Sequence, residues 1–421
     1  MPRLLADLTP LRVSADYRRL FVGNTLANIG QQLAITALGL QVYSLTGSTF
    51  AVGLVGLFAL VPLVVLGLYG GSIVDAYDRR KVALLAAGAL WLVSMATAAQ
   101  AWAELNQVWV LYLLTSLHSA AYAVVQPARS AILPRLLPPH LLPSANALHA
   151  AAFPVGFTLG PVLAGVLVGT GGYGVAYTVD VVTYLAALWA LVRLPALPPQ
   201  GEVRRAGFAS VLEGLRYLRT RPNVRMTFVV DILAMVSSFP RALFPAVAIG
   251  ALGGGPTTVG LLAGAIAVGS GLAGVLSGPL GRVHRQGLAV LWAITAWGTS
   301  IVGFGAVVLV AELTGPGAWA LGLALFFLVL AGASDSVSAV FRQTILQTST
   351  PDAMRGRLQG VFIVVVAGGP RLGELATGGV AQRAGEGLAA VAGGIVCVLG
   401  VAWLARRHPR FRAYDSRDPQ P

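Results

Sequence analysis

The stretch GGSIVDAYDRRK, residues 70–81, decides the fold because it places two acids and three consecutive bases between two long apolar runs. Each run is about as long as the ~20 apolar residues that an α-helix needs to cross a bilayer core. A charged side chain at the bilayer centre costs about 2.5–3.5 kcal/mol on insertion scales, so these charges belong in a loop. The stretch therefore predicts a short polar connection between two transmembrane helices.

The whole chain repeats this alternation of apolar runs and short polar gaps. Of its 421 residues, 56% are hydrophobic and 11% are charged, against roughly 25% charged in an average soluble domain. The net charge of +13 could indicate a nucleic-acid partner. Such proteins cluster their bases on a polar surface, whereas here the bases fill gaps between apolar runs. We therefore expect no nucleic-acid partner and interpret the bases as determinants of membrane topology.

Apolar runs and helix breakers predict an all-α polytopic membrane protein with twelve transmembrane helices. The helices fall at about 20–45, 50–74, 82–103, 107–130, 144–169, 172–194, 224–248, 257–281, 287–312, 317–345, 357–382 and 386–405. The predicted domains are an N-terminal six-helix bundle (1–194), a cytoplasmic linker (195–223), a C-terminal six-helix bundle (224–405) and a cytoplasmic tail (406–421). Within the linker an amphipathic surface helix is predicted, with one apolar face formed by Phe208, Val211, Leu212, Leu215 and Leu218.

The placement of arginines predicts the orientation. If the N-terminus lies inside, the outside loops contain only Arg383, and the other bases of the loops and tails lie inside. Positive residues are retained in cytoplasmic loops, so both termini and the linker are expected in the cytoplasm. The N-terminal MPRLLADLTPLRVSADYRRL carries charges throughout and lacks the apolar stretch of a signal peptide, so we expect no cleaved signal.

The stretch from Gly71 resembles the loop between helices 2 and 3 of the major facilitator superfamily, G-x-x-x-D-R/K-x-G-R/K-R/K. Ala76 replaces a base and Asp78 replaces a glycine, while four positions match: Gly71, Asp75, Arg79 and Arg80. Three further segments resemble the branch that contains enterobactin exporters and macrolide-efflux proteins: PARSAILPRLLP (127–138), SGPLGRVHRQG (277–287) and LQTSTPDAMRGRLQG (346–360).

This resemblance covers nearly the whole chain. It implies a secondary transporter with two pseudo-symmetric bundles, the major facilitator fold, in the cytoplasmic (inner) membrane of a bacterium. It also implies that Gly71, Asp75, Arg79 and Arg80 form a conformational gate. In that gate Asp75 meets the positive N-terminal end of helix 11, an attraction of roughly 0.3–2 kcal/mol.

Helix 5 carries GFTLGPVLAG (156–165), which resembles the antiporter motif G-x-x-x-G-P-x-x-G-G except at Ala164. Small residues four apart let helix backbones approach closely, and a proline removes one helix hydrogen bond. In this superfamily the motif is typical of exporters, and here it consists of Gly156, Gly160, Pro161 and Gly165. A generic small-residue packing face is the alternative.

Ionisable residues inside the predicted spans are candidate functional groups because of their insertion cost. They are Asp180, Asp231, Arg241, Asp335, Arg342, Arg371 and Glu374. The resemblance implies that helices 1, 4, 7 and 10 line a central cavity, which favours Asp231, Asp335 and Arg342. Asp180, on an outer helix, is expected to serve helix packing. Arg371 and Glu374 are three residues apart and can pair on one helical face.

Proton coupling requires a carboxylate or imidazole that can exchange a proton. Asp231 has no predicted partner on its own helix, because Arg241 lies ten residues and about 15 Å away. Asp335 and Arg342 are seven apart, so their pairing would need another helix or water. The proton-coupling candidates are Asp231, Asp335, Glu374 and His118, which stands where related drug antiporters often carry an arginine. For each, a structural role is the alternative.

Two polar stripes run along helices 1 and 4. The first consists of Asn24, Asn28, Gln31 and Gln32, and the second of Thr115, Ser119, Tyr122, Gln126 and Arg129. In lipid such stripes must face protein or a water-filled cavity, so a dry hydrogen-bonded core is the alternative to a substrate cavity. Arg129 is the candidate for an anionic substrate group or, alternatively, braces the loop acids. The substrate-cavity candidates are Asn24, Asn28, Gln31, Ser119, Tyr122, Gln126, Arg129, Arg342 and Arg371.

These patterns predict a monomer that exports an amphipathic small molecule, a siderophore or a drug, by proton antiport and alternating access. The sequence has no G-x-x-x-x-G-K-[ST] loop, catalytic triad or metal-ligand cluster within the spans. We therefore expect neither an ATP-driven pump nor an enzyme, no metal, and no cofactor besides the proton gradient. An uptake permease for a nutrient or metal complex and a non-transporting sensor are the alternatives.

Overall fold

The computed structural model describes residues 7–198, 213 and 216–418. Within these ranges, the side chains of residues 68–76, 352–357, 359–360 and 362–364 are not described. This part of the chain contains twelve long helices, and the expected all-α polytopic fold is confirmed. They are α1 (Ala15–Thr46), α2 (Thr49–Ala76), α3 (Arg79–Trp102), α4 (Val108–Leu136), α5 and α6 (together Leu142–Val192), α7 (Pro222–Ser238), α8 (Pro256–Val275), α9 (Gln286–Thr314), α10 (Ala318–Thr348), α11 (Asp352–Ala384) and α12 (Glu386–Arg407).

Glycine and proline set two of the helix breaks. α5 and α6 meet at Gly172, whose φ of 77° and ψ of −178° are conformations that other residues avoid. Helix 7, predicted as one helix over 224–248, is interrupted: Phe239 is extended, and a 3-10 turn follows at Arg241–Leu243. Pro240 explains the interruption, because proline lacks an amide N–H and disfavours helical geometry in the residue before it.

Nine segments of the described chain are long and apolar enough to cross a membrane, and one of them, Pro139–Val192, contains both α5 and α6. α1 and α11 are not among the nine, although they have 32 and 33 residues. Both carry polar or charged residues along their length, among them Asn24 and Asn28 in α1 and Arg371 in α11. Polar side chains in a helix of this length require protein or a water-filled cavity beside them.

The chain groups into two compact units, the first with residues 1–41 and 58–207 and the second with 42–57 and 208–421. The end of α1 and the start of α2 thus group with the second unit. The predicted division into bundles at 1–194 and 224–405 stays a prediction. Most of the predicted apolar face of the linker lies outside the described residues. Its one described member, Leu218, is buried against Val224 and Phe228.

Apolar side chains fill the interior of each unit. In the first unit, one cluster joins α1, α3, α4 and α6 through Leu20, Leu90, Ile132 and Tyr184, which are at most 2% exposed. A second cluster includes Leu33, Ala164 and Tyr177. In the second unit, α9 packs against α10 and α12, α8 packs against α10, and α7 packs against α11. These contacts hold the polar residues of α1, α4, α7 and α10 at defined positions.

Candidate functional site

A cavity of about 320 Å³ lies within the first unit, and both predicted polar stripes contribute to its wall. The residues that line it are Leu20, Asn24, Thr25, Asn28, Gln31, Tyr122, Gln126, Arg129, Ser130, Leu133, Asn146, His149, Ala152 and Phe153. Of the cavity candidates, Ser119 does not line it and is buried in the core, 8% exposed. Arg342 and Arg371 belong to the second unit.

The glycines of α5 determine how closely α1 approaches this cavity. A Cβ at Gly160 would lie 2.5 Å from the Cβ of Gln32 and 2.9 Å from the Ile29 carbonyl oxygen, and one at Gly156 would overlap the Asn28 amide. Without those atoms the two helices come together, and the Asn28 Nδ2 donates to the Phe153 carbonyl at 3.1 Å. This is the close packing that small residues four apart permit.

The α4 stripe divides between the cavity and the core. The Gln126 Nε2 donates to the Tyr122 hydroxyl at 2.8 Å, and both residues line the cavity. His118 contacts the Tyr184 hydroxyl through Nε2 at 3.3 Å and does not line the cavity. The Thr115 hydroxyl donates to the Leu111 carbonyl of the preceding turn. Of the α4 stripe, Tyr122, Gln126 and Arg129 therefore line the cavity, beside Ser130 and Leu133 of the same helix.

Four residues of α5 line the cavity, and three of them carry polar or aromatic side chains that sequence reasoning missed: Asn146, His149 and Phe153. Their spacings of three and four place them on one helical face. This was the signal available in the sequence. It was overlooked because helix 5 was interpreted through its glycines alone. Phe153 packs at 4.8 Å, centroid to centroid, on Phe157 and adds an aromatic surface to the polar wall.

Arg129 is the cation of this cavity. Its Nε and Nη2 atoms are buried and have no hydrogen-bond partner among the described residues. The lining residues include no Asp or Glu. Two tyrosines lie near the guanidinium: Tyr122, which lines the cavity, and Tyr184, which is buried in the core. The cavity thus presents a positive charge and many amide groups.

In the second unit, Arg342 on α10 lies between two carboxylates. It contacts Asp231 of α7 directly, and its Nη2 lies 3.5 Å from the Asp335 Oδ1. The partner of Asp231 thus comes from another helix, since a long arginine side chain reaches it. The expectation that Asp335 and Arg342 need another helix or water to pair is wrong, because the arginine side chain spans two turns. Asp231 and Arg342 are 6% exposed, whereas Asp335 is 37% exposed.

The predicted contact between Arg371 and Glu374 on α11 is present, with 3.7 Å from Nη1 to Oε2. The first part of α2, within the same unit, packs closely on this region. A Cβ at Gly56 would lie 2.7 Å from both the Arg371 carbonyl oxygen and the Glu374 Oε2. Ser48 donates to Gln382 at 2.8 Å just beyond. The pair therefore lies at a helix contact and is mostly buried, at 23% and 8% exposure.

Asp180 of α6 is a third buried carboxylate, 3% exposed. Its Oδ2 accepts a hydrogen bond from the Ser94 hydroxyl at 2.7 Å. Its Oδ1 lies close to Gly30 of α1, where an added Cβ would be only 2.9 Å away. These contacts join α3, α6 and α1. They support the helix-packing role that the sequence suggested for Asp180.

Around the loop between α2 and α3, Gly71 and the Asp75 side chain lie outside the residues whose side chains are described. Arg79 donates to the Ala131 carbonyl at 3.3 Å, and Arg80 donates to the Val192 carbonyl at 2.6 Å. Arg80 thus binds the last carbonyls of α6, as basic residues do at helix C-termini. Asp78, which replaces the glycine of the family pattern, is the N-cap of α3. Its side chain accepts a hydrogen bond from the Lys81 backbone N–H.

Comparison with known proteins identifies the family. The family model described as "Transmembrane secretion effector" matches residues 5–421. The enterobactin exporter EntS of Citrobacter koseri is 28% identical over 409 residues, which cover 96% of this chain and 95% of the relative. EntS of Shigella boydii is 28% identical over 422 residues, which cover 98% and 99%.

Solved transporters share the fold at low sequence identity. The nucleoside transporter NupG aligns with a TM-score of 0.68 and 14% identity over 94% of this chain and 98% of its own. The inward-open xylose transporter XylE from E. coli aligns with a TM-score of 0.67 and 12% identity over 92% and 94%. The chain therefore belongs to the transmembrane secretion effector family of the major facilitator superfamily and is a multi-pass membrane transporter.

Proposed function

We propose that this protein exports an amphipathic small molecule across the inner membrane of a bacterium. The observation that carries the proposal is the cavity of the first unit, where amide side chains, a guanidinium and an aromatic face surround a space of about 320 Å³. A polar cavity in a membrane-spanning helix bundle marks a substrate pathway. The relatives named enterobactin exporters favour a siderophore-like substrate and outward transport.

Proton antiport would drive this export, and the group formed by Asp231, Arg342 and Asp335 is the proposed proton site. Asp231 and Asp335 both contact the guanidinium of Arg342. When one of them binds a proton, the other still forms an ion pair with Arg342. The group then alternates between one net negative charge and neutrality. Asp335, at 37% exposure, is the more accessible of the two carboxylates.

The remaining parts of the proposal concern topology and conformational change. A monomer with both termini in the cytoplasm would alternate between inward- and outward-open states, as other transporters with repeated bundles do. The gate proposed at Gly71, Asp75, Arg79 and Arg80 would act at the cytoplasmic end. The hydrogen bonds of Arg79 to the Ala131 carbonyl of α4 and of Arg80 to the Val192 carbonyl of α6 support a role for these two residues in holding that end together.

The test is flux of a catecholate siderophore and of a macrolide in inverted membrane vesicles with an imposed pH gradient. We expect gradient-driven accumulation in the vesicle lumen, which corresponds to the outside of the cell. Asp231→Asn should abolish that coupling while the protein remains folded, because Asp335 still balances Arg342. The matched control is Asp415→Asn near the end of the chain, a partly exposed carboxylate whose ion-pair partner among the described residues is Arg417.

Each alternative function has its own outcome in this experiment. Transport toward the cytoplasmic side would replace export with uptake. A complete absence of gradient-dependent flux with any tested substrate would support a sensor. Unchanged coupling in Asp231→Asn would remove that residue as the proton site.

A further inference from the structure

The cavity of the first unit contains an arginine that no acid of the described chain balances. The described acids of this unit are Asp7, Asp16, Asp78, Glu104 and Asp180. Two of these acids accept hydrogen bonds from hydroxyl groups: Asp7 from Thr9 and Ser144, and Asp180 from Ser94. Asp16 forms an ion pair with Arg19, and Asp78 is the N-cap of α3. Glu104 lies exposed beyond the end of α3. None of them forms an ion pair with Arg129.

An unbalanced guanidinium inside a membrane-spanning unit is expensive unless a ligand or solvent compensates its charge. The Arg129 Nε and Nη2 atoms are buried without a hydrogen-bond partner among the described residues. A guanidinium presents its donors in a planar fork that matches two oxygens of one anionic group. The site therefore has unused capacity for an oxyanion.

The rest of the wall indicates which kind of oxyanion fits. Five carboxamides line the cavity: Asn24, Asn28, Gln31, Gln126 and Asn146. They supply both donors and acceptors for hydroxyl and carbonyl groups. Phe153, whose ring packs at a tilt of 40° against Phe157, offers an apolar aromatic face. No carboxylate lines the wall to receive an amine.

We propose that this cavity binds the carboxylate of an aromatic, oxygen-rich substrate through Arg129 and discriminates against cationic amines. This inference rests on the proposed function and narrows the substrate from siderophores and drugs in general to anionic oxygen-rich molecules. Tyr122 and Gln126, held to each other by a hydrogen bond, form the wall beside the guanidinium.

The test measures equilibrium binding to the full chain in lipid nanodiscs without any gradient, so it does not depend on proton coupling or transport direction. The probes are dihydroxybenzoate, its neutral amide dihydroxybenzamide, and a cationic macrolide. We expect the wild-type protein to bind the benzoate at least about tenfold more tightly than the amide, and the macrolide more weakly than either.

Arg129→Gln should remove the preference for benzoate while the affinity for the neutral amide is retained, which shows that the cavity is intact. Arg129→Lys should keep part of the preference, because lysine keeps the charge without the planar fork. The control is Arg135→Gln on the same helix, whose side chain binds the Pro198 carbonyl outside the cavity.

Three results would overturn the proposal: equal binding of benzoate and amide, tighter binding of the macrolide, or an unchanged preference in Arg129→Gln. Failure of all probes to bind would also count against it. Vesicle flux driven by a pH gradient could still support export in any of these cases, so the two proposals fail separately.

Discussion

Two buried arginines, Arg129 in the first unit and Arg342 in the second, have opposite surroundings. Arg342 contacts two carboxylates and is 6% exposed. Arg129 lines an open cavity and has no ion-pair partner among the described residues. A buried charge with its partners is part of the folded structure, whereas a buried charge without one is available to a ligand. We therefore propose that Arg129 serves recognition, whereas Arg342 neutralises the acids beside it.

The largest expected effect on stability concerns Arg342, whose charge is balanced by two acids. Arg342→Gln leaves Asp231 and Asp335 close together without their cation, and breaking a buried pair in this way costs about 3–5 kcal/mol. Thermal unfolding in detergent should show a large decrease in stability. The double variant Arg342→Gln/Asp231→Asn should recover much of it, because one uncompensated charge is removed. A single variant as stable as the wild type would show that the three residues contribute no net stability.

An intermediate effect is expected where the cavity depends on close helix packing. At Gly160 a new Cβ would meet the backbone of α1 at 2.9 Å, so Gly160→Ala should destabilise by about 1–3 kcal/mol, as overpacking does. It should also weaken ligand binding in the cavity. The control is Gly88→Ala in α3, where nothing lies within 4 Å of the new atom. That change should stabilise slightly, since alanine favours the helix by roughly 0.5–1 kcal/mol. Equal stability of the two variants would contradict the close contact of α1 and α5.

The smallest expected effect on stability concerns Arg129, which has no ion-pair partner among the described residues. Arg129→Gln removes a charge that has no acidic partner in the described chain, so the unfolding free energy should stay constant or rise, because no buried acid loses its partner. The measurement is the same unfolding experiment used for Arg342→Gln. A loss of stability close to that of Arg342→Gln would show that Arg129 has a carboxylate partner after all. That result would favour its alternative role as a brace for the loop acids.

Helix positions were predictable to within a few residues, and the exceptions have local causes. The interruption of helix 7 follows from Pro240, and the continuous apolar pattern around this proline does not indicate a break. The polar stripes of α1 and α4 share one cavity, as one-sided patterns in an apolar helix indicate. Ser119 belonged to the same stripe but packs in the core. A stripe spans more than one environment along a helix of 29 residues.

Contacts between helices were much less predictable. Asp231 and Arg342 are more than a hundred residues apart in the chain, and spacing within one helix says nothing about such a pair. The contribution of Asn146 and His149 to the cavity depends on how far α5 can approach α1, which the missing Cβ atoms of Gly156 and Gly160 decide. Both results depend on helix rotation and separation, which no local pattern specifies.

The sequence by itself determined that this chain spans a membrane, where its helices lie and on which side its arginines are expected, because lipid excludes charge and unpaired backbone groups locally along the chain. Only the tertiary structure decided which buried charges are neutralised. Arg342 receives two acids from packed helices and Arg129 receives none that the structure describes. The physical reason is that Coulomb energy depends on distances between side chains, and those distances arise only when the helices pack.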